Sequence, residues 1–354
     1  MGLYVHVMEF DDWVKVSGGI VDTVFYLQGY KEGWKDGKFE EKYDVRDCLE
    51  PARYHQQYEG GVYEGQFFHY QNIFAKSFSC LSVQGSTSVV ADLVKDHQGL
   101  SIMLDRAENL LHDWFGGAEY WAARRSMRFS EKLINQATVF RAEELDSDDT
   151  KDDTEVAEDW REQRAERKAR GGDYACVHLR RGDFARSRGK EVPSVEWAAK
   201  QLNHRLAEWK INKLFVATDA DRKEMSELYR HVEENIEIFK FSPEPEELKE
   251  FKDGGVAIID QIICSHAKYG IITTVTLLLI LHIFVRYFIG TRESTFTFRI
   301  QEEREMMGFR LEDTFDMLCG DGDLSCESGT RWNIDWGEGK DWSLPQSGND
   351  RSEL

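Results

Sequence analysis

Asp173-Tyr174-Ala175-Cys176-Val177-His178-Leu179-Arg180-Arg181-Gly182-Asp183 is the stretch on which the fold turns. Tyr174 to Leu179 is a short apolar run, the pattern of a strand buried on both faces. Working outward, Ser194 can cap a helix from Val195 to about Trp209, and Lys213–Ala217 reads as a second strand. Asp221 to about Val232 is helical, and Ile236–Phe241 is a third strand. Glu246–Lys252 and Val256–Ala267 are helical, Tyr287–Gly290 is a fourth strand and Thr295–Met307 a further helix. Strands alternating with helices predict a parallel α/β sheet. Ligands of such sheets bind beyond the carboxyl ends of the strands, so the residues just after each strand carry the functional question.

Upstream the signals are weaker. Gly29–Gly37 is loop-like, Leu81–Val94 reads as a loop feeding a helix, and Ser101–Leu104 as a short strand. Residues 143–159 hold ten acidic residues and one basic residue, Lys151, and read as a solvated, mobile linker. A basic helical stretch follows to Arg170, broken by Gly171-Gly172.

The chain has 354 residues, with 45 Lys and Arg against 65 Asp and Glu, a net charge of −20. That balance argues against nucleic acid or an anionic membrane as partner, while leaving room for a local cationic pocket. The length suits about two domains. Of the six cysteines, Cys319 and Cys326 flank a short Gly-rich loop and read as a disulfide, and no zinc-ligand spacing is present. The chain opens without a basic and apolar leader, and it ends Arg351-Ser352-Glu353-Leu354, a degenerate form of an endoplasmic-reticulum retention signal.

Three groups of residues carry candidate chemistry. Arg180 and Arg181 at a strand's carboxyl end suit a diphosphate, because a guanidinium fork pairs bidentately with phosphate oxygens; a surface arginine pair is the plainer alternative. Asp260 lies in the apolar run Val256–Ile263, and a carboxylate there needs a partner. Guanine offers one in its adjacent N1–H and N2–H₂ donors; a salt bridge is the alternative. Ser294, Thr295 and Phe296 open a helix, where hydroxyls and free N–H groups favour an anion; Ser294 as a simple N-cap is the alternative. The Asp-x-Asp triplets at 146–148, 219–221 and 321–323 are low-specificity matches in an acidic chain.

His178–Phe184, Val216–Ala220, Asp253–Gln261 and Ser294–Phe296 together resemble the GDP-fucose protein O-fucosyltransferases. The resemblance extends upstream through Leu27–Tyr30, Glu32–Trp34, Ser79–Ser86 and Met103–Asp113, and covers about Val7 to Trp336. It implies an α/β fold of GT-B type, with two Rossmann-like domains facing a cleft. Residues 1–142 then form an incomplete N-terminal domain, 143–172 a linker, 173–336 a donor-binding domain and 337–354 a tail. It also implies a peptide-O-fucosyltransferase: inverting, metal-independent transfer of fucose from GDP-fucose to Ser or Thr of folded thrombospondin type 1 repeats, in the lumen of the endoplasmic reticulum. Arg180 would neutralise the leaving β-phosphate. His178 and Asp183 would line the nucleotide pocket, Asp260 would hold guanine, and Ser294, Thr295 and Phe296 would bind phosphate. The resemblance pairs Cys48 with Cys80 and Cys319 with Cys326. No cofactor and no metal is implied.

Two departures stand out. Nothing in the chain matches the family's Gly-rich loop that carries the proposed catalytic base, so the base is expected in a segment missing ahead of residue 1. And 18 residues, Lys268 to Val285, separate a helix and strand that the family joins almost directly. A membrane-spanning helix needs about 20 mostly apolar residues, and a span here would split Asp260 from Ser294. Because Ile, Val, Leu, Phe and Met codons share a central U, we read 268–285 as U-rich intron translated in frame, with a loop insertion and a membrane span (via 269–289) as alternatives. Sequencing the transcript decides, since a mature message containing the segment ends the intron reading. On these departures the chain is expected to be inactive as it stands, with a non-catalytic binding protein or a membrane-anchored protein as the rival functions.

Overall fold

The computed structural model describes residues 5–6, 10–32, 40–49, 56–57, 61–64, 74–97, 101–110, 116–163, 168–189, 191–276, 279–286, 288–292, 294–310, 314, 316–323, 326 and 334–337. The chain divides into two compact units, Met8–Phe115 and Met1–Val7 with Gly116–Leu354. The expected tail, 337–354, lies almost wholly outside the described residues, as does the Arg351–Leu354 ending.

The smaller unit is built on strands β1 (Ile20–Gln28), β2 (Lys42–Val45), β3 (Phe74–Gln84) and β4 (Ile102–Asp105), with helix α1 (Ser88–Asp96). β3, β1 and β4 are parallel neighbours in that order. β2 runs antiparallel to β3, Lys42 opposite Gln84. Phe25, Leu27, Leu81, Val83 and Val90 form its core. The segment from Leu81, read as loop, continues the strand to Gln84, because Ser82 and Gln84 are buried with hydrogen-bond partners there. Cys48 is bonded to Cys80, with Cα atoms 5.2 Å apart.

The larger unit carries the reading's centre. Its elements are α2 (Glu131–Leu145), β5 (Ala175–Leu179), α3 (Gly182–Ser187), α4 (Val195–Trp209), β6 (Lys213–Thr218), α5 (Arg222–His231), β7 (Glu237–Phe239) and α6 (Pro245–Ser265). After them come β8 (Tyr269–Thr276), β9 (Leu279–Arg286), β10 (Phe288–Gly290), α7 (Thr295–Met307) and β11 (Asp316–Met317). Five strands pair in parallel in the order β7-β6-β5-β10-β11. The chain order reverses between β5 and β10, which makes that gap the topological switch point.

Side-chain alternation builds the two layers. Ala175, Val177 and Leu179 face Leu202 and Leu206 of α4. Cys176 faces the opposite layer, with Leu133 and Ala137 of α2, Ile259 and Ile263 of α6, and Ile300 of α7. Both faces of the strand are covered, hence its unbroken apolar run. The Ser194 hydroxyl accepts from the Trp197 N–H, and Asp221 and Glu224 close a capping box on α5. α6 breaks at Lys252, whose φ is 54°, so two helical segments meet where the sequence placed a gap.

The sequence boundaries need correction at the linker. Residues 116–142 belong to the larger unit, not to an N-terminal domain. The acidic run is not a solvated connector either. Arg141 is 1% exposed, and a buried charge must be compensated. Its guanidinium donates to Asp149 at 2.8 Å and to Ser147 at 3.2 Å, and lies 3.8 Å from Asp152. The acidic segment folds back around α2 to supply those partners, burying Ser147, Asp152 and Thr154. Lys168–Arg170 is irregular rather than helical, and Arg170 and Gly171 donate backbone N–H groups to Asp152 O.

The anomalous apolar segment forms an antiparallel hairpin, β8–β9, that pairs with itself alone among the described strands; Tyr269 opposes Arg286 and Thr276 opposes Leu279. It leaves from the amino end of the sheet, where the Lys268 N–H donates to Tyr174 O and Ala267 bridges Gly172. Among the described residues no helix is long and apolar enough to cross a membrane.

Candidate functional site at the sheet switch point

β5 delivers His178 and Arg180 to the switch point, and the turn after β10 delivers Thr291. The Thr291 hydroxyl donates to His178 O and accepts from the Arg180 N–H, both at 2.8 Å, which staples the two strand ends together. The Thr297 hydroxyl donates to Thr291 O at 3.0 Å, and it lies 2.9 Å from His178 Nδ1. Since that hydroxyl's proton is committed to Thr291 O, His178 Nδ1 carries the donated hydrogen and Nε2 is the acceptor. The ring stacks on Phe296 at 4.2 Å. Burial, with the Arg180 charge beside it, pushes the imidazole down to about 3, so His178 is neutral at physiological pH.

This packing depends on glycine. A Cβ on Gly290 would stand 2.2 Å from Thr297 Cγ2, so only glycine lets α7 approach the end of β10. At Gly182, φ is +30° and a Cβ would meet Asp219 Oδ2 at 2.6 Å.

Asp219, which appears in the sequence only within the Val216–Ala220 motif and the 219–221 triplet, is a site residue. Its Oδ1 accepts the Arg181 N–H at 2.6 Å, and its Oδ2 pairs with Arg180 Nη1 at 2.9 Å. Arg180 Nη2 donates to Asp183 Oδ1 at 2.7 Å. Two carboxylates thus aim the Arg180 guanidinium, which is 37% exposed. The two arginines are not equivalent. Arg181 is tied to Glu224 at 2.8 Å and to Pro193 O at 2.6 Å and is largely buried, so it braces the loop, whereas the more exposed Arg180 is the one accessible to a ligand.

Ser294 occupies the N-cap position of α7, but its side chain makes no capping hydrogen bond. The hydroxyl and the first-turn N–H groups of Thr295, Phe296 and Thr297 stand at the positive end of the helix. On α6, Asp260 is 6% exposed and its Oδ1 has no hydrogen-bond partner. Burial pushes its carboxyl up to about 7, and Lys240 is the charge that pulls against that rise. The salt bridge that served as the plainer alternative is absent among the described residues. The structure therefore gathers Arg180, Asp183, His178 and the α7 start about one switch point, with Asp260 on the same layer as His178.

The expected disulfide Cys319–Cys326 is present, its Cα atoms 5.6 Å apart. A third pair, Cys176–Cys264, fastens β5 to α6 across a sequence separation of 88; nothing in the spacing signals it. Each Asp-x-Asp triplet has structural work: Asp148 caps a helical turn, Asp221 caps α5, and Asp321 accepts from Ser194. No group of three or more His, Cys, Asp or Glu side chains able to hold a metal occurs among the described residues.

A doubly wound parallel sheet with an arginine and a helix N-terminus at its switch point is the arrangement of an α/β nucleotide-binding domain. The chain belongs to the GDP-fucose protein O-fucosyltransferase family, whose model matches residues 4–276, and it is therefore a glycosyltransferase. It is 43% identical over 93% of its length to GDP-fucose protein O-fucosyltransferase 2 of Homo sapiens, covering 72% of that protein. To the protein of the same name from Caenorhabditis elegans it is 38% identical over 94% of its length, covering 73%. The crystal structure of POFUT1 in complex with GDP-fucose overlays 84% of this chain and 73% of its own at 13% identity, with a TM-score of 0.40.

Proposed function

We propose, in place of the inactivity expected from the apolar insertion, that this chain transfers fucose from GDP-fucose to a Ser or Thr hydroxyl of a folded thrombospondin type 1 repeat, with inversion at the sugar carbon, because the insertion leaves from the end of the sheet opposite Arg180. The observation that carries the reading is the Arg180 guanidinium, aimed by Asp183 and Asp219 at the switch point and facing outward. The hydroxyl oxygen bonds to fucose C1 and passes its proton to solvent, while the C1–O bond to the β-phosphate breaks and GDP takes the electron pair. Negative charge grows on the diphosphate as that bond opens. Arg180 and the α7 amide groups meet it with charge already in place, which is where electrostatic stabilisation accelerates transfer most.

The remaining residues bind the donor. Asp260, its Oδ1 unpaired, accepts the guanine N1–H and N2–H₂ donors. Ser294, Thr295 and Phe296 surround the phosphates, and Phe296 also holds the His178 ring flat. The neutral His178 presents an acceptor nitrogen to the ribose hydroxyls. Three disulfides suit an oxidising compartment, which supports the endoplasmic-reticulum lumen.

Calorimetry with GDP on the whole chain, followed by transfer of labelled fucose to a folded repeat and to the same repeat reduced and unfolded, tests the reading. GDP binding with transfer to the folded repeat alone supports it. GDP binding without transfer to any repeat leaves a nucleotide-binding protein and overturns the acceptor assignment.

A further inference from the structure

Asp260 is a buried carboxylate with no salt bridge among the described residues, and Lys240 is the cation whose charge is felt there. Lys240 follows β7 directly, between Phe239 and Phe241. Phe241 packs in the same cluster as Ile259, the residue before Asp260. The Lys240 ammonium donates to Thr218 O at 3.3 Å, the last residue of β6. Thr218 is followed by Asp219, which holds Arg180. The ammonium thus stands at the carboxyl end of β6, next to the residue that holds Arg180. An ammonium has three N–H donors, and among the described residues one is used within the protein.

The chemistry of guanine makes this pairing specific. Its Watson–Crick edge presents two donors, N2–H₂ and N1–H, and then an acceptor, O6. A carboxylate with a cation next to it matches that order. Adenine reverses it, placing an amino donor where the cation stands. A lone carboxylate would accept the two donors but leave O6 unmatched in a site that excludes water.

On the reading that this face takes a guanine nucleotide, we infer that Lys240 donates to guanine O6 and is a base-specificity residue acting beside Asp260. The Thr218 carbonyl positions the ammonium, and the same strand end positions Asp219 for Arg180. Base recognition and leaving-group stabilisation are therefore linked through one turn, Thr218-Asp219.

The test is calorimetry on the full chain with GDP, ADP and 6-thio-GDP, which keeps both donors and replaces O6 by a weaker acceptor. Wild type is expected to bind 6-thio-GDP about fivefold to tenfold more weakly than GDP, the loss of one charge-assisted bond. Lys240→Met is expected to bind GDP about tenfold more weakly and to bring the ratio of the two nucleotides close to one. Lys240→Arg is expected to restore most of both, which a purely structural role for the lysine stem would not require. A wild-type ratio near one overturns the inference and needs no variant. So does a Lys240→Met protein, melting as wild type, that keeps the wild-type ratio. If wild type binds GDP and loses it in Asp260→Asn while Lys240→Met is unchanged, the guanine site stands and the lysine assignment falls. If wild type binds none of the three, the donor reading itself falls, and this inference with it.

Discussion

The two ends of the five-stranded sheet are built on opposite principles. At the carboxyl end three charged or ring side chains are held by neighbours: Arg180 by Asp183 and Asp219, His178 by Thr297, Lys240 by Thr218. Gly182 and Gly290 leave no spare space around them. At the amino end the crossover from α6 to β10 extends into a hairpin that borrows nothing from the sheet. Arg304 closes that end separately, donating to Ser265 O and Ala267 O at 3.0 and 2.8 Å, where a cation suits a helix C-terminus. An insertion is thus accommodated where its two ends meet, and the site lies where no insertion falls.

That contrast can be broken most sharply at Arg180. Arg180→Ala should lower the fucose-transfer rate by roughly 10²–10³-fold, as loss of a transition-state charge partner does. Its melting temperature should stay near wild type, since its ion pairs are solvent-exposed and worth ~0–1 kcal/mol. A rate within tenfold of wild type would remove Arg180 from the leaving-group role.

Gly290→Val tests the close approach of α7. The added side chain meets Thr297 and should cost roughly 1–3 kcal/mol of stability by overpacking, read by denaturant unfolding, with GDP affinity falling alongside. An unchanged midpoint would mean that α7 has more freedom than its contacts indicate.

Asp260 sets a trade-off between stability and binding. Burial raises its carboxyl from 3.8 to about 7. Between those values the folded chain binds a proton that the unfolded chain has lost. The group's stabilising contribution to the ligand-free fold is therefore complete below the unfolded value and disappears as pH rises through the folded one. GDP affinity should run the other way, rising as the carboxylate ionises and levelling above about pH 7. Asp260→Asn should accordingly melt higher than wild type at about pH 8 while losing most of its GDP affinity. A variant that melts lower would show that the carboxylate has a partner in the folded protein.

The smallest effect is expected at the amino end. Excising 268–285 should leave GDP affinity within about twofold, because paired antiparallel residues stand ~5 Å apart and a short link replaces the hairpin. A tenfold loss of affinity would show that the two ends are coupled.

Much of the larger unit was legible in the chain. β5, β6 and α7 lie where apolar runs and period placed them, and Ser194 and Asp221 cap the helices that follow them. Arg180, Asp260 and Ser294 were legible as residues just past strands or inside an apolar helix. The function of Arg181 was not, because bracing and ligand binding ask for the same residue type. The acidic run misled for a related reason: composition reports charge, and a buried counter-charge such as Arg141 is visible only when α2 is packed.

By itself, then, the sequence determined most of the strand and helix order from Ala175 to Met307, the two-faced burial of β5 and the candidate arginine and carboxylate. These are short-range matters of periodicity and capping, complete within a few residues. The tertiary structure decided the partners: Asp219 for Arg181 across 38 residues, Thr291 for Arg180 across 111 and Cys264 for Cys176 across 88. It also decided that the apolar segment pairs with itself. Those choices depend on which strand ends the right-handed crossovers bring together, and no local pattern along the chain encodes that.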